Sequence, residues 1–411
     1  MSKQEKLMVL RKVITENLRV QLGSSASVAY VDVSNALVDV VARQNHVVFG
    51  RRGCGKTLLL HTARKVSEKT SRTVYVNCED YKQHSFPNVL IEILDRLFKE
   101  LENNLSGWFG RKKRSRDLIM GIRRNLSDLK TSADEQETKV KEIGSSERHQ
   151  DDSVKLATHG LKIGATESQD EKTAVEKEYQ RYDNKVHKLN LLLPGLKDSV
   201  REFFNLSKNV KTIFIELDDF YHLQRSMHPH VADYVHRLCK DMPLYFKIAT
   251  LRHATALYAD RGNQPTGAQE RHDYQPINLD FTLADFSKTS EQLRKILYQF
   301  GQLADLNVDD INSLFMGQGF ERLVLASGGV PRDFLSLLLE ILSQKTSVND
   351  RIGKDDVRLL SLSVWQRRIE ELKADSEEKD QDALLRGIYA IRKFCYDKKY
   401  NERGRPRRRS F

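Results

Sequence analysis

Long apolar runs are missing from this 411-residue chain. No stretch approaches the ~18 consecutive apolar residues of a membrane-crossing helix, so no membrane span is expected. The opening residues, Met1-Ser-Lys-Gln-Glu-Lys6, lack the apolar segment of a secretory signal. Cysteine is scarce: Cys54, Cys78, Cys239 and Cys395 are scattered and form no Cys-x-x-Cys pair. That argues against both a zinc knuckle and a disulfide framework, and a reducing cytoplasm is the simplest setting. Hydrophobic residues reach only 39% while charged residues make up 30%, a balance that suggests long solvated helices beside an ordinary core. There is no internal repeat. The length allows one to three domains.

What the chain does have is positive charge in blocks. The net charge is +11. Residues 108–130 hold eight Lys/Arg against two Asp/Glu, and the last twenty hold nine against two. The remainder is near neutral. Clustered positive charge is the footprint of an anionic partner, and DNA is the first candidate, through 108–130 and 403–409. A merely solubilising surface reads the same way.

The most informative segment runs from His46 to Thr57. A short apolar strand enters Gly50-Arg51-Arg52-Gly53-Cys54-Gly55-Lys56-Thr57, and Leu58 continues into a helix. The spacing is that of the phosphate-binding loop. Glycines let backbone N–H groups turn inward on phosphate oxygens, and the following helix adds its positive end. Lys56 can reach the β- and γ-phosphates, and Thr57 can hold Mg²⁺. ATP or ADP is therefore the expected ligand.

Alternation of strands and helices around this segment predicts a doubly wound, parallel α/β sheet. Strands are expected near 46–50, 73–78, 210–217, 244–250 and 277–281. Amphipathic helices are expected over 4–21 and 34–43, and residues 287–344 are helical throughout. The pattern changes from about 102 to 190. Helices over 114–143 and 171–205, joined by a polar tip, suggest a projecting antiparallel hairpin. Heptad support is fair on the return arm and weak on the outgoing one. The expected organisation is a lead-in at 1–45, a split core at 46–105 and 206–285, and a helical, coiled-coil-like insertion at 106–205. A helical lid at 286–350 and C-terminal helices with a basic tail at 351–411 complete it.

A phosphate loop needs a second metal-site element, and Thr212-Ile-Phe-Ile-Glu-Leu-Asp218-Asp219 supplies it at a strand's C-terminal edge. Asp218 is placed to support Mg²⁺ and Asp219 to prepare the attacking water. Glu216 lies within the strand and is expected to face elsewhere. The strand ending Thr250-Leu-Arg252 offers two groups to sense the γ-phosphate, with alternation placing both on one face. In Gly328-Gly-Val-Pro-Arg332, Pro331 opens a helix and Arg332 follows, where it could clamp a nucleotide. His228-Pro-His230, with His222 and His236, has no acid at a convincing ligand spacing; surface or interface histidines are the favoured reading.

Taken in order, Gly50–Thr57, Leu217-Asp218-Asp219, Thr250-Leu-Arg252 and Gly328–Arg332 resemble the motifs of AAA+ ATPases, most closely the origin-recognition branch and its bacterial relatives. Thr250-x-Arg252 also resembles the STAND signalling ATPases. The resemblance covers roughly 28–105 and 205–345. It implies a self-assembling ATP switch, with Arg237, Arg261 or Arg271 as the arginine finger presented to a neighbouring subunit. In that family the residue after the metal-binding Asp is usually Glu, so Asp219 implies slow hydrolysis. A C-terminal winged helix should follow, but only its possible first helix, Asp382–Tyr400, is present. The tail Arg403-Gly-Arg405-Pro406 resembles an AT-hook. The STAND alternative implies a signalling or anti-phage defence role, with a protein partner at 106–205 or the C-terminus.

Overall fold

The computed structural model describes residues 3–18, 28–105, 110–131, 167–207, 209–261, 264–344, 350–375 and 378–397, with only the backbone over 167–184 and some later helical positions. The tail at 403–409 and the insertion tip lie outside these residues. The chain divides into two compact units. One comprises Arg19–Lys288 with Val330–Arg332; the other comprises Met1–Leu18, Thr289–Gly329 and Asp333–Phe411.

The second unit begins with α1, Lys3–Asn17, whose Leu10 and Ile14 are fully buried four residues apart, as one face of a helix requires. The first unit then carries α2 (Ala36–Val41), β1 (His46–Phe49), α3 (Lys56–Ser67), β2 (Ser71–Asn77) and α4 (Phe86–Asn103). Two long helices follow, α5 over 110–131 and α6, Glu167–Leu206. The sheet resumes with β3 (Thr212–Asp218), α7 (His228–Cys239) and β4 (Leu244–Thr250). A hairpin of β5 (Tyr258–Arg261) and β6 (Gln264–Gly267) precedes β7 (Gln275–Asn278).

Five strands form one parallel sheet in the order β2-β3-β4-β1-β7. The doubly wound α/β expectation therefore holds. All seven β3 residues are buried, the signature of a central strand covered on both faces. Ile213, Ile215 and Leu217 face the larger core with α4, α6 and α7, while Val48, Ala249 and Leu279 face α2 and α3. The strand ends differ by at most three residues from expectation, and β4 matches it at both ends. Asp218 is the last residue of β3, so its carboxylate emerges at the sheet edge.

Where its side chains are described, the insertion packs onto the core rather than projecting freely. On α5, Ser115, Ile119, Leu126 and Leu129 are buried, with Ile122 half-buried between them. On α6, Leu189, Leu193, Leu196, Val200 and Phe203 are buried. Both arms show four-three spacing, so each has a continuous apolar seam. They pack into the core shared with α4. Arg123 bridges Asp95 and Glu102 of α4 at 2.9 and 2.7 Å, and Lys130 pairs with Glu92. The outgoing seam escaped notice because Ser115 opens it and charges surround it. The β5–β6 hairpin was also unforeseen.

The second unit continues with α8 (Phe286–Leu303), α9 (Val308–Asn312), α10 (Gly319–Ala326), α11 (Pro331–Gln344), α12 (Lys354–Asp375) and α13 (Glu378–Asp397). Phe320 is central: it packs edge-on against Phe315 and Phe334, and the Arg294 guanidinium lies 3.9 Å from its ring centroid. No helix among the described residues is long and apolar enough to cross a membrane.

Candidate nucleotide site

The loop between β1 and α3 has the backbone its glycines permit. Gly53 and Gly55 take φ of 85° and 89°, a left-handed region costly to other residues. A Cβ on Gly53 would also lie 2.8 Å from Cβ of Arg332 and 3.0 Å from Val330. The loop thus leaves room for the 330–332 segment, whose Arg332 N–H donates to the Gly53 carbonyl at 3.3 Å. Leu58 packs against the apolar layer behind the loop.

Lys56 is 5% exposed, and its ammonium donates to the carbonyls of Gly50 (2.8 Å) and Arg51 (3.2 Å). Burial lowers its pKa, opposed by the charges of Asp219, then Asp218 and Asp280. So Lys56 is a buried cation whose partners are carbonyls of its own loop, with carboxylates close by. A phosphate arriving there meets a donor already desolvated.

Asp218 is 1% exposed. Its donors are the Tyr75 hydroxyl at 3.1 Å and the Asp219 N–H at 2.9 Å, with the Thr57 hydroxyl close by. Burial raises its pKa first, and the neighbouring Asp219 charge second. Among the described residues no guanidinium or ammonium stands within ion-pair distance. A buried carboxylate held by neutral donors retains an unbalanced charge. With the Thr57 hydroxyl close by, the oxygen ligands fit a hard divalent cation.

Asp219 follows in a left-handed backbone conformation, φ 50°. Its carboxylate lies with those of Glu79 and the ring of His222 so that one ligand atom from each falls within 4.8 Å of the others. The expectation that no acid accompanies the histidines is corrected at His222. The correction runs the other way at His228. It is fully buried, its Nε2 is 2.9 Å from the Leu223 carbonyl and its Nδ1 accepts from Ala256 N–H at 3.4 Å. It is a core histidine, not a surface one.

Arg52 lies beside Tyr221, with its Nε 3.1 Å from the hydroxyl and its guanidinium 5.1 Å from the ring centroid. Thr250 and Arg252 part company. Thr250 is fully buried and its hydroxyl meets that of Thr255 at 2.6 Å. Beyond Leu251 the chain enters a tight turn at Arg252–Ala254, so strand alternation no longer applies. Arg252 bonds Glu270 (3.0 Å) and Asn278 (3.2 Å) above the Phe49 ring. Thr250 and Phe49 are register partners, so Arg252, lying above the Phe49 ring, stays on the Thr250 side of the sheet, exposed where Thr250 is buried.

Sequence reasoning missed three participants. Asp280, just beyond β7, accepts from the Arg51 N–H (3.2 Å), Arg51 Nε (2.6 Å) and the Cys54 thiol (3.3 Å). Burial, then Asp280, pushes that thiol up to about 12. Tyr30 packs 3.6 Å from where a Gly55 Cβ would stand, and its hydroxyl is buried with no hydrogen-bond partner among the described residues. Glu79 is the third. None has a local signal: each is brought in by register or by a distant segment.

Of the finger candidates, Arg237 is engaged by Asp233 and Asn190 at 2.8 and 3.0 Å. Arg271 is exposed, with φ 68°. The Arg261 side chain lies outside the described residues.

No protein-family model matches this chain, and no curated protein does. Among solved structures, a Walker-type ATPase of Pyrococcus abyssi is similar at 12% identity, covering 91% of this chain and 76% of that one, with a TM-score of 0.31. A likeness that distant decides nothing about activity.

Proposed function

We propose that the chain is an ATP-binding P-loop ATPase, slow and Mg²⁺-dependent, that works as a switch. The observation that carries this is Asp218: a buried carboxylate with no ion-pair partner among the described residues, close to Thr57 and to the buried Lys56. Backbone N–H groups of Gly53, Cys54 and Gly55, with Arg51 and Arg52 flanking, line the triphosphate's place. Leu58 supports the helix that follows. Thr57 and Asp218 would hold Mg²⁺, which supplies charge neutralisation on the phosphates when bound. Lys56 moves from its own carbonyls to the phosphate oxygens. Asp219 assists the water, Arg332 reads the nucleotide from the lid segment, and Thr250 or Arg252 responds to the γ-phosphate. Arg252 can respond only by leaving Glu270 and Asn278.

The motif order supports an origin-recognition-like AAA+ relationship, with ATP-driven self-association and DNA as partner. The basic block at 108–130 weighs less in that reading than its charge suggests. Arg111, Arg123 and Lys130 already pair with carboxylates of this chain. That neutralisation favours the second reading to the same degree: a STAND-like signalling or defence ATPase whose insertion meets a protein. An association resting on phosphate contacts weakens steeply with salt, whereas an apolar protein contact does not.

Lys56→Ala tests the central claim. Calorimetric titration with Mg·ATP should show affinity reduced at least ~100-fold, the loss of a strong charge-assisted contact, with the thermal transition of the free protein retained. Unchanged ATP affinity in this variant would remove the basis of the proposal.

A further inference from the structure

Glu79 comes from the turn that follows β2, not from the end of β3, where the two aspartates lie. Strands β2 and β3 run in register, with Asn77 beside Asp218. Two residues further, Glu79 reaches the same rim as Asp219. Its backbone is fixed there: the N–H donates to Asn77 Oδ1 at 3.2 Å and the carbonyl accepts from Lys82 N–H at 3.4 Å. Its side chain is exposed. Among the described residues no ion pair engages its carboxylate, which shares the 4.8 Å group with Asp219 and His222.

The three acids at this edge have different surroundings. Asp218 is buried among neutral donors, the Tyr75 hydroxyl and the Asp219 N–H. Asp219 is the carboxylate whose charge most favours the charged form of Lys56. Its left-handed backbone and short side chain limit its reach. Glu79 is longer by one methylene, about 1.5 Å, and its carboxylate is free to accept a proton.

We infer that Glu79 is the general base of ATP hydrolysis, supplying from the turn after β2 the carboxylate that Asp219, just past β3, is too short to supply. This rests on the ATPase reading above. In the step, a water oxygen bonds to the γ-phosphorus while its proton passes to a Glu79 carboxylate oxygen. The bond from that phosphorus to the β,γ-bridging oxygen breaks, and ADP leaves with the electron pair. Phosphate departs and Glu79 returns the proton to solvent.

The test uses the full chain with Mg·ATP, measuring affinity, single-turnover hydrolysis and the identity of the bound nucleotide. Glu79→Gln should lower the hydrolysis rate about 100-fold, in the range of general-base losses. ATP affinity should stay within about twofold, and ATP rather than ADP should be recovered from the protein. The acid limb of the rate–pH profile should vanish, and Glu79→Asp should restore part of the rate. Asp219→Asn should change affinity as well as rate, because the Asp219 charge favours the charged form of Lys56. Hydrolysis by Glu79→Gln at the wild-type rate overturns the inference and leaves the ATPase reading intact. A wild-type chain that binds ATP without cleaving it overturns the inference and the hydrolytic part of that reading. A chain that binds no ATP overturns both.

Discussion

Glu216 and Asp218 stand two residues apart on β3, facing the same side of the sheet, and both are almost wholly buried. Their partners separate them. Glu216 receives the Arg64 guanidinium at 2.8 Å, and Arg64 itself stacks 4.8 Å from the Tyr75 ring centroid. Next to it, Lys247 is tied by its ammonium to the carbonyls of Ala42 and Gln44 and to His46 Nδ1, all at 2.7–2.8 Å. Asp218 receives only the Tyr75 hydroxyl and one N–H. Burial raises both acids' pKa, Glu216 to about 7. The first is a closed electrostatic unit and the second is open to a cation. Burial alone marks neither; the charge of the partner distinguishes a structural acid from a functional one.

Opposite responses to substitution give the sharpest break of that comparison. Arg64→Ala leaves Glu216 buried without its guanidinium and should cost about 3 kcal/mol of stability by urea denaturation, the usual loss when one member of a buried pair is removed. Asp218→Asn removes a charge that has no cation, so metal-free stability should move by no more than ~1 kcal/mol. The same variant should lose the Mg²⁺ enhancement of ATP affinity, which Arg64→Ala keeps. An Asp218→Asn chain as unstable as Arg64→Ala would make Asp218 another structural acid.

The closed unit should also show itself in pH dependence. His46 is 3% exposed. Burial, and secondly the Lys247 charge, hold its pKa down at about 3. Its folded value lies below the unfolded one, so the native chain binds fewer protons than the unfolded chain between about pH 3 and 6.5. Stability therefore falls as pH drops through that window. Replacing His46 by Gln, which can still accept from Lys247, should recover about 2 kcal/mol of the loss between pH 7 and 4.5. Identical stability profiles for the two proteins over that range would exclude His46 from the acid response.

The difference between the two acids was half legible in the sequence. An apolar strand ending in Asp218-Asp219 after a phosphate loop announces its own role, because loop spacing and strand alternation are local. Glu216 could be set aside on the same alternation. Its partner could not be named, since Arg64 lies 152 positions away and reaches it only through helix packing. Glu79 and Asp280 are hidden for the same reason: strand order, which no short window encodes, decides who meets at the edge. The α5 seam was a different failure. Its spacing is regular, but a serine and a flanking basic block conceal it, and the ion pairs made by that block come from α4 and α6.

Asp280 is the case where location and partner disagree. It sits beside the phosphate loop, as Asp218 does, yet it has a guanidinium at 2.6 Å, as Glu216 does. If partner charge decides, Asp280 braces the loop and takes no part in metal binding. Two effects oppose each other in Asp280→Asn. Bonds to Arg51 and Cys54 weaken, which loosens the loop; a negative charge near the phosphates disappears, which favours ATP. The Asp280 and Arg51 side chains are 31% and 40% exposed, so solvent screens the charge effect and the lost bracing should dominate. We expect ATP affinity to fall about tenfold, or ~1.4 kcal/mol, with the ratio of affinities with and without Mg²⁺ unchanged. Titrations of both proteins in magnesium and in chelator read that ratio directly. A variant that binds ATP more tightly would mean that proximity to the phosphates, not the Arg51 partner, governs Asp280, and the distinction drawn from Glu216 and Asp218 would fail at the loop.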